Sequence, residues 1–355
     1  CRKFETDKKA AEYLFEKAVR YDRHSFYSFH SQIRQYKTFG IEKYIPLWMI
    51  LEIVKYSKYD LRIIEKNIMS YNSQGGSIIK SPILPIKVTP EFDSILAHML
   101  GDGSDRRNKS NSGDYCQYDK KGLNNFINKV KNVFGEIDLK VNTKRVNVPA
   151  CIILILKKYF NITDFGSFVS YLPKKLFIHS GYHRLAVLLS FVTDEGTIYD
   201  NIIIRMANKR IMNDIRKLIL SLGYDRMPLG KMICGSGRRG YKISLSNLDL
   251  KKLSIDIEKL CSLFPTCNLA QKQESFNYLV SHGCSCARKR YFGETKELLL
   301  RSLKGRRCKT QELATLLGIS RRTTSIHLDE LEKQDKVHLF YTNPKGAKVW
   351  ASKLY

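Results

Sequence analysis

Hydrophobic positions change period several times along this chain, and the changes mark out its elements. In the first 70 residues apolar side chains recur at helical spacing. Ala11, Leu14, Phe15 and Val19 share one face of a helix predicted over 9–20, and two short helices follow over 46–58 and 61–69. The Lys58-Tyr-Asp turn between those two makes a helix-turn-helix one reading of the pair. Residues 71–90 carry Ser73-Gln-Gly-Gly-Ser77 and prolines at 82, 85 and 90, a linker composition.

The middle of the chain repeats itself. An apolar helix over 92–101 ends in Gly101-Asp102-Gly103-Ser104. Polar strands over 105–118 follow, then an amphipathic helix over 121–134 closed by Gly135, then strands over 137–146 and 148–158. A second apolar helix, over 183–194, runs into Glu195-Gly196-Thr197. Strands over 198–199 and 202–206 come next, then a helix over 210–222 closed by Gly223, then strands over 226–234 and 241–245. Both units read α-β-β-α-β-β. Residues 251–290 are helical and cysteine-rich. A last module has helices over 294–303, 310–317 and 321–334, with Thr310 and Ser320 as expected N-caps. Strands over 337–341 and 348–351 flank Asn343-Pro-Lys-Gly346. The expected domains are 1–90, a helical region and linker; 91–180 and 181–290, the two repeated units, the second with a helical extension; and 291–355, the terminal module.

Composition narrows the function. The chain has 355 residues, with 61 Lys and Arg against 34 Asp and Glu, a net charge of +27. Such an excess opposes compaction by self-repulsion and points to a polyanionic partner, nucleic acid before a membrane surface. Nine dispersed cysteines do not form a secreted disulfide framework. No apolar run spans a bilayer, so the expectation is a cytoplasmic protein without membrane contact.

The candidate chemistry lies at the two helix ends. Aligned on the acids, Ile95–Gly103 sits over Leu188–Gly196. Ala97 and Gly101 are small residues at i, i+4 spacing, which allows close helix approach. Side-by-side packing would bring Asp102 and Glu195 together at the negative ends of two dipoles, where they repel. A divalent cation relieves that repulsion, and Mg²⁺ between carboxylates and phosphate oxygens is the usual arrangement for phosphodiester hydrolysis.

Leu188–Gly196 and, more loosely, Leu96-Ala97 with Gly101–Ser104 resemble the helix motif of the LAGLIDADG homing endonucleases, over about residues 92–250. His98 departs from the pattern at a position normally aliphatic. The resemblance implies an α+β fold: a pseudo-two-fold pair of αββαββ units in one monomer, their strands forming a saddle in the DNA major groove, flanked by the helical N-terminal region and the terminal module. It implies site-specific double-strand cleavage of a long asymmetric duplex. Asp102 and Glu195 would be the catalytic, metal-binding acids, with Gly101 and Asp194 beside them in the metal site and Mg²⁺, or Mn²⁺ in its place, as cofactor. A basic residue near each metal is expected, with Lys157 or Lys158 in unit one and Lys231 or Lys242 in unit two as candidates. Saddle contacts to DNA are expected from Arg106, Arg107, Lys109, Lys140, Lys144 and Arg145 in unit one. Arg205, Lys209, Arg226, Lys231, Arg238, Arg239 and Lys242 are the counterparts in unit two.

The stretch Thr310-x-Glu-Leu-Ala-x-Leu-Leu-Gly-Ile-Ser320-Arg-Arg-Thr-Thr324 resembles the winged helix-turn-helix of prokaryotic transcription regulators. That likeness would present Arg321, Arg322 and Thr324 to base edges, with Lys345 and Lys348 on a wing gripping phosphate. His282, Cys284 and Cys286, with Cys261 and Cys267 upstream, lack zinc-ligand spacing, and the cysteines read as free, buried thiols. Two further functions are open on the same scaffold: a DNA-binding regulator that does not cut, and a binder of structured RNA that assists splicing.

Overall fold

The computed structural model describes residues 7–18, 31, 34, 45–73, 77–105, 112–165, 170–199, 201–224, 229–233, 239–245, 249–283, 293–342 and 346–353. It is an α+β protein whose described sheets are all antiparallel. The chain divides into two compact units, the first made of residues up to 74 with 78–86 and 134–137, the second of the remainder.

The first unit holds α1 (Asp7–Ala18), α2 (Leu47–Ser57) and α3 (Leu61–Asn67). Ala11, Leu14 and Met49 form its small core. Asp60 caps α3 by accepting from the Arg62 amide at 2.9 Å. Strands β1 (Ser70–Tyr71) and β2 (Ile79–Lys80) pair, and residues Glu136–Ile137 add a third strand to them.

The second unit begins with α4 (Pro90–Gly101). Thr89 caps it and Pro90 fills its first position. Residues 90–100 are buried all round, so this helix lies inside the protein. Strands β3 (Gly103–Asp105) and β4 (Gly113–Cys116) and helix α5 (Lys120–Phe134) follow. Beyond β5 (Glu136–Ile137), β6 (Val141–Asn142) and β7 (Arg145–Val148) complete a sheet of order β3-β4-β7-β6.

The strand expected over 148–158 is instead a helix, α6 (Ala150–Phe160). Pro149 has no amide to continue the ladder, and its carbonyl accepts from the Ile152 and Ile153 amides at 3.1 and 3.2 Å, which starts the helix. Burial of Ile152, Ile153, Leu156 and Phe160 on one face outweighs the strand preference of the isoleucine-rich run.

Helix α7 (Lys174–Ile178) leads into α8 (Gly181–Glu195). Strands β8 (Gly196–Ile198) and β9 (Ile202–Met206), helix α9 (Lys209–Ser221), and strands β10 (Gly230–Ile233) and β11 (Arg239–Leu245) then form a second sheet, order β10-β11-β9-β8. Alternating burial in β9 puts Ile202, Ile204 and Met206 inward. Helix α10 (Leu250–Leu263), a 3₁₀ turn (Ala270–Lys272) and α11 (Gln273–Gly283) form the extension.

The terminal module has helices α12 (Glu294–Leu303), α13 (Thr310–Leu317) and α14 (Arg321–Lys333) and a sheet of order β12-β14-β13 from Cys308–Lys309, Lys348–Ser352 and Val337–Thr342. Leu299, Leu303, Leu313, Leu328, Leu331, Val337 and Trp350 build its own core. Ser320 caps α14 as expected. Lys309, not Thr310, occupies the N-cap of α13. Thr310 is buried one position later, where its hydroxyl oxygen accepts from the Trp350 indole at 3.0 Å. No helix among the described residues is long and apolar enough to cross a membrane.

Candidate metal and nucleic-acid site

Helices α4 and α8 lie side by side along most of their length. Ser94 and Ser190 hydroxyls meet at 2.6 Å. Ser190 donates its own proton to the Ala186 carbonyl at 2.9 Å, which makes Ser94 the donor of the pair. Ala97 is fully buried, and a Cβ on Gly101 would come within 3.0 Å of an Asp194 carboxylate oxygen. Just past the two helix ends a Cβ on Gly103 would lie 2.4 Å from the Met99 carbonyl oxygen, and one on Gly196 2.4 Å from that of Val192. Only glycine fits where each chain turns from helix into strand.

Four polar side chains cross the buried helix pair. His98 faces the Asp194 carboxylate through Nδ1, at 2.9 and 3.1 Å. Its Nε2 lies 2.8 Å from Lys129 Nζ, and the Tyr115 hydroxyl donates to Asp194 Oδ1 at 2.8 Å. Burial, then the Lys129 charge, lowers the His98 pKa well below the ordinary range, so the ring is neutral. An ammonium can only donate, so Nε2 is the acceptor and Nδ1–H donates to Asp194. Burial pushes Asp194 up to about 7 against the lowering effects of Tyr115, Lys129 and Lys272. Burial also lowers Lys129. The histidine that departs from the aliphatic pattern thus links α4 to α8 across the seam.

The two acids sit at the ends of these helices. Asp102 is the C-cap of α4 and Glu195 the last residue of α8, both partly exposed. Burial and then the Asp194 charge push Asp102 up to about 7. Burial, then Asp102 and Asp194, push Glu195 up to about 8. Three carboxylates therefore share one small region, with Asp194 disfavouring ionisation of Asp102 and both disfavouring that of Glu195. Lys272 faces them from the 3₁₀ turn. Its ammonium donates to the carbonyls of Val192 at 2.9 Å and Gly196 at 2.5 Å, with Asp194 O at 3.5 Å, so it covers the carbonyl end of α8. Its charge lowers all three acids, while burial lowers its own pKa. Hard oxygen donors pressed together against their own repulsion suit a divalent cation. Asp102 and Glu195 present theirs to solvent; the Asp194 side chain is enclosed and committed to His98 and Tyr115.

The basic residues expected on the sheets are distributed unevenly. Lys242 on β11 is exposed and directly opposite Arg205 on β9, so both share one face. Arg205 donates to the Thr197 hydroxyl at 2.8 Å. Lys231 pairs with Tyr241 and so points to the other face from Lys242. Arg145 on β7 is exposed opposite Cys116 and Asn142, and Lys140 is exposed just before β6. Lys144 is exposed too, with its ammonium over the Tyr118 ring at 4.1 Å. Lys209 is exposed at the start of α9. Lys157 and Lys158 fall in the last turn of α6 rather than on a strand. Arg106, Arg107, Lys109, Arg226, Arg238 and Lys345 lie outside the described residues, and only the backbone of Arg239 is described.

In the terminal module Arg321 and Arg322 are exposed at the start of α14. Thr324 is fully buried and its hydroxyl donates to the Ser320 carbonyl at 3.0 Å, so it packs the helix and does not face outward. Lys348 reaches Asp329 at 3.4 Å. Cys116, Cys151, Cys261, Cys267 and Cys308 form no disulfide, and burial pushes Cys267 up to about 12.

Sequence reasoning missed Lys129 and Lys272. Lys129 had a signal: it falls among Phe126, Val130 and Val133 on the apolar face of its helix, where a charge needs a partner. Lys272 had none, because it comes from an extension outside the repeat.

No family model matches the chain, and no curated protein matches it. Among solved structures it is similar to I-DmoI in complex with DNA and Mn, at 14% identity and a TM-score of 0.35, over 47% of this chain and 96% of that one. The complex of I-DmoI with DNA and Ca follows at 12% identity and a TM-score of 0.33, over 47% and 89%. A point variant of I-DmoI with its target DNA in the presence of Mg follows at 13% and 0.30, over 45% and 93%. Likeness at this level carries no functional argument.

Proposed function

We propose that this protein is a metal-dependent DNA endonuclease of LAGLIDADG type, acting as a monomer on a long duplex site. The observation that carries the reading is the convergence of Asp102 and Glu195 at the ends of two tightly packed helices, on a chain of net charge +27. In this reading Asp102 and Glu195 would hold Mg²⁺ or Mn²⁺, with Gly101 and Asp194 beside them; when bound, the ion would supply Lewis-acid polarisation of a phosphate and a lowered pKa for an attacking water. Lys272 fixes the end of α8 and with it the Glu195 backbone. Arg205, Lys242 and Arg145, on the polar faces of the two sheets, grip the duplex, and Lys158 and the remaining basic side chains add phosphate contacts. Water adds to phosphorus and loses a proton to solvent, the P–O bond to the leaving sugar oxygen breaks with its electron pair, and that oxygen takes a proton from solvent to leave as a hydroxyl.

The test is nicking and double-strand cleavage of a large duplex pool with Mg²⁺, Mn²⁺ or chelator. Discrete products that require metal and vanish in both Asp102→Asn and Glu195→Gln support the reading. Products that persist in both variants refute it.

A regulator that binds without cutting is the second reading. The terminal module favours it: three helices and a hairpin with Arg321 and Arg322 exposed at the start of α14 are the arrangement by which a winged helix enters a groove. Specific binding with no cleavage in any metal would select it.

A further inference from the structure

We propose that Asp93, His179 and His183 form a second metal site, for a divalent transition ion of the zinc type, at the end of the helix pair remote from Asp102 and Glu195. The three side chains come from separate places. Asp93 lies in the first turn of α4, His179 directly follows α7, and His183 lies in the first turn of α8. Their ligand atoms all fall within 4.8 Å of one another. His179 Nδ1 is 2.6 Å and His183 Nδ1 2.8 Å from the same oxygen, Asp93 Oδ2.

A hydrogen-bonded triad explains this arrangement poorly. Asp93 is fully buried, yet both imidazoles crowd one of its oxygens while the other, Oδ1, is enclosed with no hydrogen-bond partner. A buried carboxylate normally divides its donors between its oxygens, because an unsatisfied one is costly. A cation in place of the shared protons uses the carboxylate as a whole. With bonds of about 2.0–2.2 Å to nitrogen and oxygen, a tetrahedral ion needs ligand atoms roughly 3.3 Å apart. His179 Nδ1 and His183 Nδ1 would retreat from Oδ2 by about 0.7 and 0.5 Å, within reach of side-chain rotation.

The donor set decides the class of metal. Two imidazoles and one carboxylate suit Zn²⁺, Co²⁺ or Ni²⁺, whereas Mg²⁺ and Ca²⁺ prefer oxygen alone. His179 and His183 keep 15% and 17% of their side-chain surface exposed, which leaves one side for a water as fourth ligand. The Tyr159 hydroxyl lies 3.5 Å from His179 Nε2, placed to accept its proton and so hold Nδ1 as the ligating nitrogen. At 1.5 Å per residue Asp93 stands roughly 13 Å along α4 from Asp102, so the two sites are separate. An ion here would tie the start of the second repeat's helix to the start of the first.

The experiment uses the full chain carrying Asp102→Asn and Glu195→Gln, so that the acid pair does not contribute, stripped with chelator and titrated with Co²⁺ and then Zn²⁺. One equivalent of cobalt with the strong visible absorption of a tetrahedral site, displaced by one equivalent of zinc, is expected. His179→Gln with His183→Gln should abolish it. A variant with Cys261, Cys267, Cys284 and Cys286 changed to Ser should retain it. No tight equivalent in the parent, or binding that leaves with the cysteines rather than the histidines, overturns the proposal. X-ray absorption of the zinc-loaded wild-type chain reads the ligands even if the histidine variant fails to fold. A shell of nitrogen and oxygen near 2.0–2.1 Å is expected, and sulfur near 2.3 Å would overturn it.

Discussion

Without metal, the two helix-end acids should destabilise the protein as pH rises, and removing their charge should stabilise it. Asp102 is held at about 7 against 3.8 in an unfolded chain, and Glu195 at about 8 against 4.5. A folded pKa above the unfolded one means that the folded state binds the proton more tightly. Stability from these groups is therefore greatest below about pH 4, falls as pH rises through the interval, and levels off near pH 7 for Asp102 and pH 8 for Glu195. At 1.36 kcal/mol per unit the limits are about 4 and 5 kcal/mol. They do not add, because the Asp102 charge is one of the groups that raises Glu195. Partial exposure and local relaxation reduce them further; half of one, about 2 kcal/mol, still moves a melting midpoint by roughly 4–8 °C. The assay is thermal unfolding of wild type, Asp102→Asn and Glu195→Gln in chelator at pH 4.5, 6.5 and 8.5. Both variants should melt above wild type at pH 8.5, and the gap should close towards pH 4.5. Mg²⁺ or Ca²⁺ at pH 8.5 should raise wild type towards the variants and leave the double variant unmoved. Variants no more stable than wild type at pH 8.5, or equally stabilised at pH 4.5, would refute the electrostatic argument.

Lys272→Met removes the ammonium from the carbonyl end of α8 and should cost about 2–4 kcal/mol in urea unfolding at neutral pH, since two or more charged hydrogen bonds are lost. Gly196→Ala places a Cβ against the Val192 carbonyl and should destabilise the fold by a few kcal/mol, measurable as a lowered melting midpoint, whereas Gly181→Ala meets open space and should not. In DNA-binding competition assays, Arg321→Ala and Arg322→Ala should each weaken specific binding by about 1–3 kcal/mol and relax base preference at the contacted position, while Thr324→Ala should leave that preference unchanged. Trp350→Phe should destabilise the terminal module by about 1–3 kcal/mol, read by unfolding, because it empties core volume and leaves the buried Thr310 hydroxyl without its donor.

Much of the element order was legible because the chain signals it locally. The helix cap at Ser320, glycines after the paired acids, and apolar stripes at helical spacing each fix a boundary without reference to distant residues. The reading failed where tertiary burial competed with local preference. The isoleucine-rich run after Pro149 satisfies both strand and helix rules, and only its inward face decides for the helix. At the candidate site the two acids and the small-residue seam were readable from spacing. The groups that surround them were not: Lys272 comes from a separate extension, and Asp93 meets His179 and His183 only because the starts of two helices far apart in sequence are packed together. His98 stood out as a departure from pattern, but its partners, Asp194 and Lys129, become visible only when the helices are packed.

The link between His98 and Asp194 also bears on how two such similar halves stay distinct. In the alignment of the acids, Gly101 is the counterpart of Asp194, and Phe191 that of His98. Two copies of the first half, paired in this register, would set His98 against glycine and leave the imidazole without its carboxylate. Two copies of the second would press Asp194 against Phe191. Each half buries a group that only the other can satisfy. In this packing neither half could be exchanged for a copy of its neighbour without stranding a buried polar group, so the seam itself specifies an unlike pair.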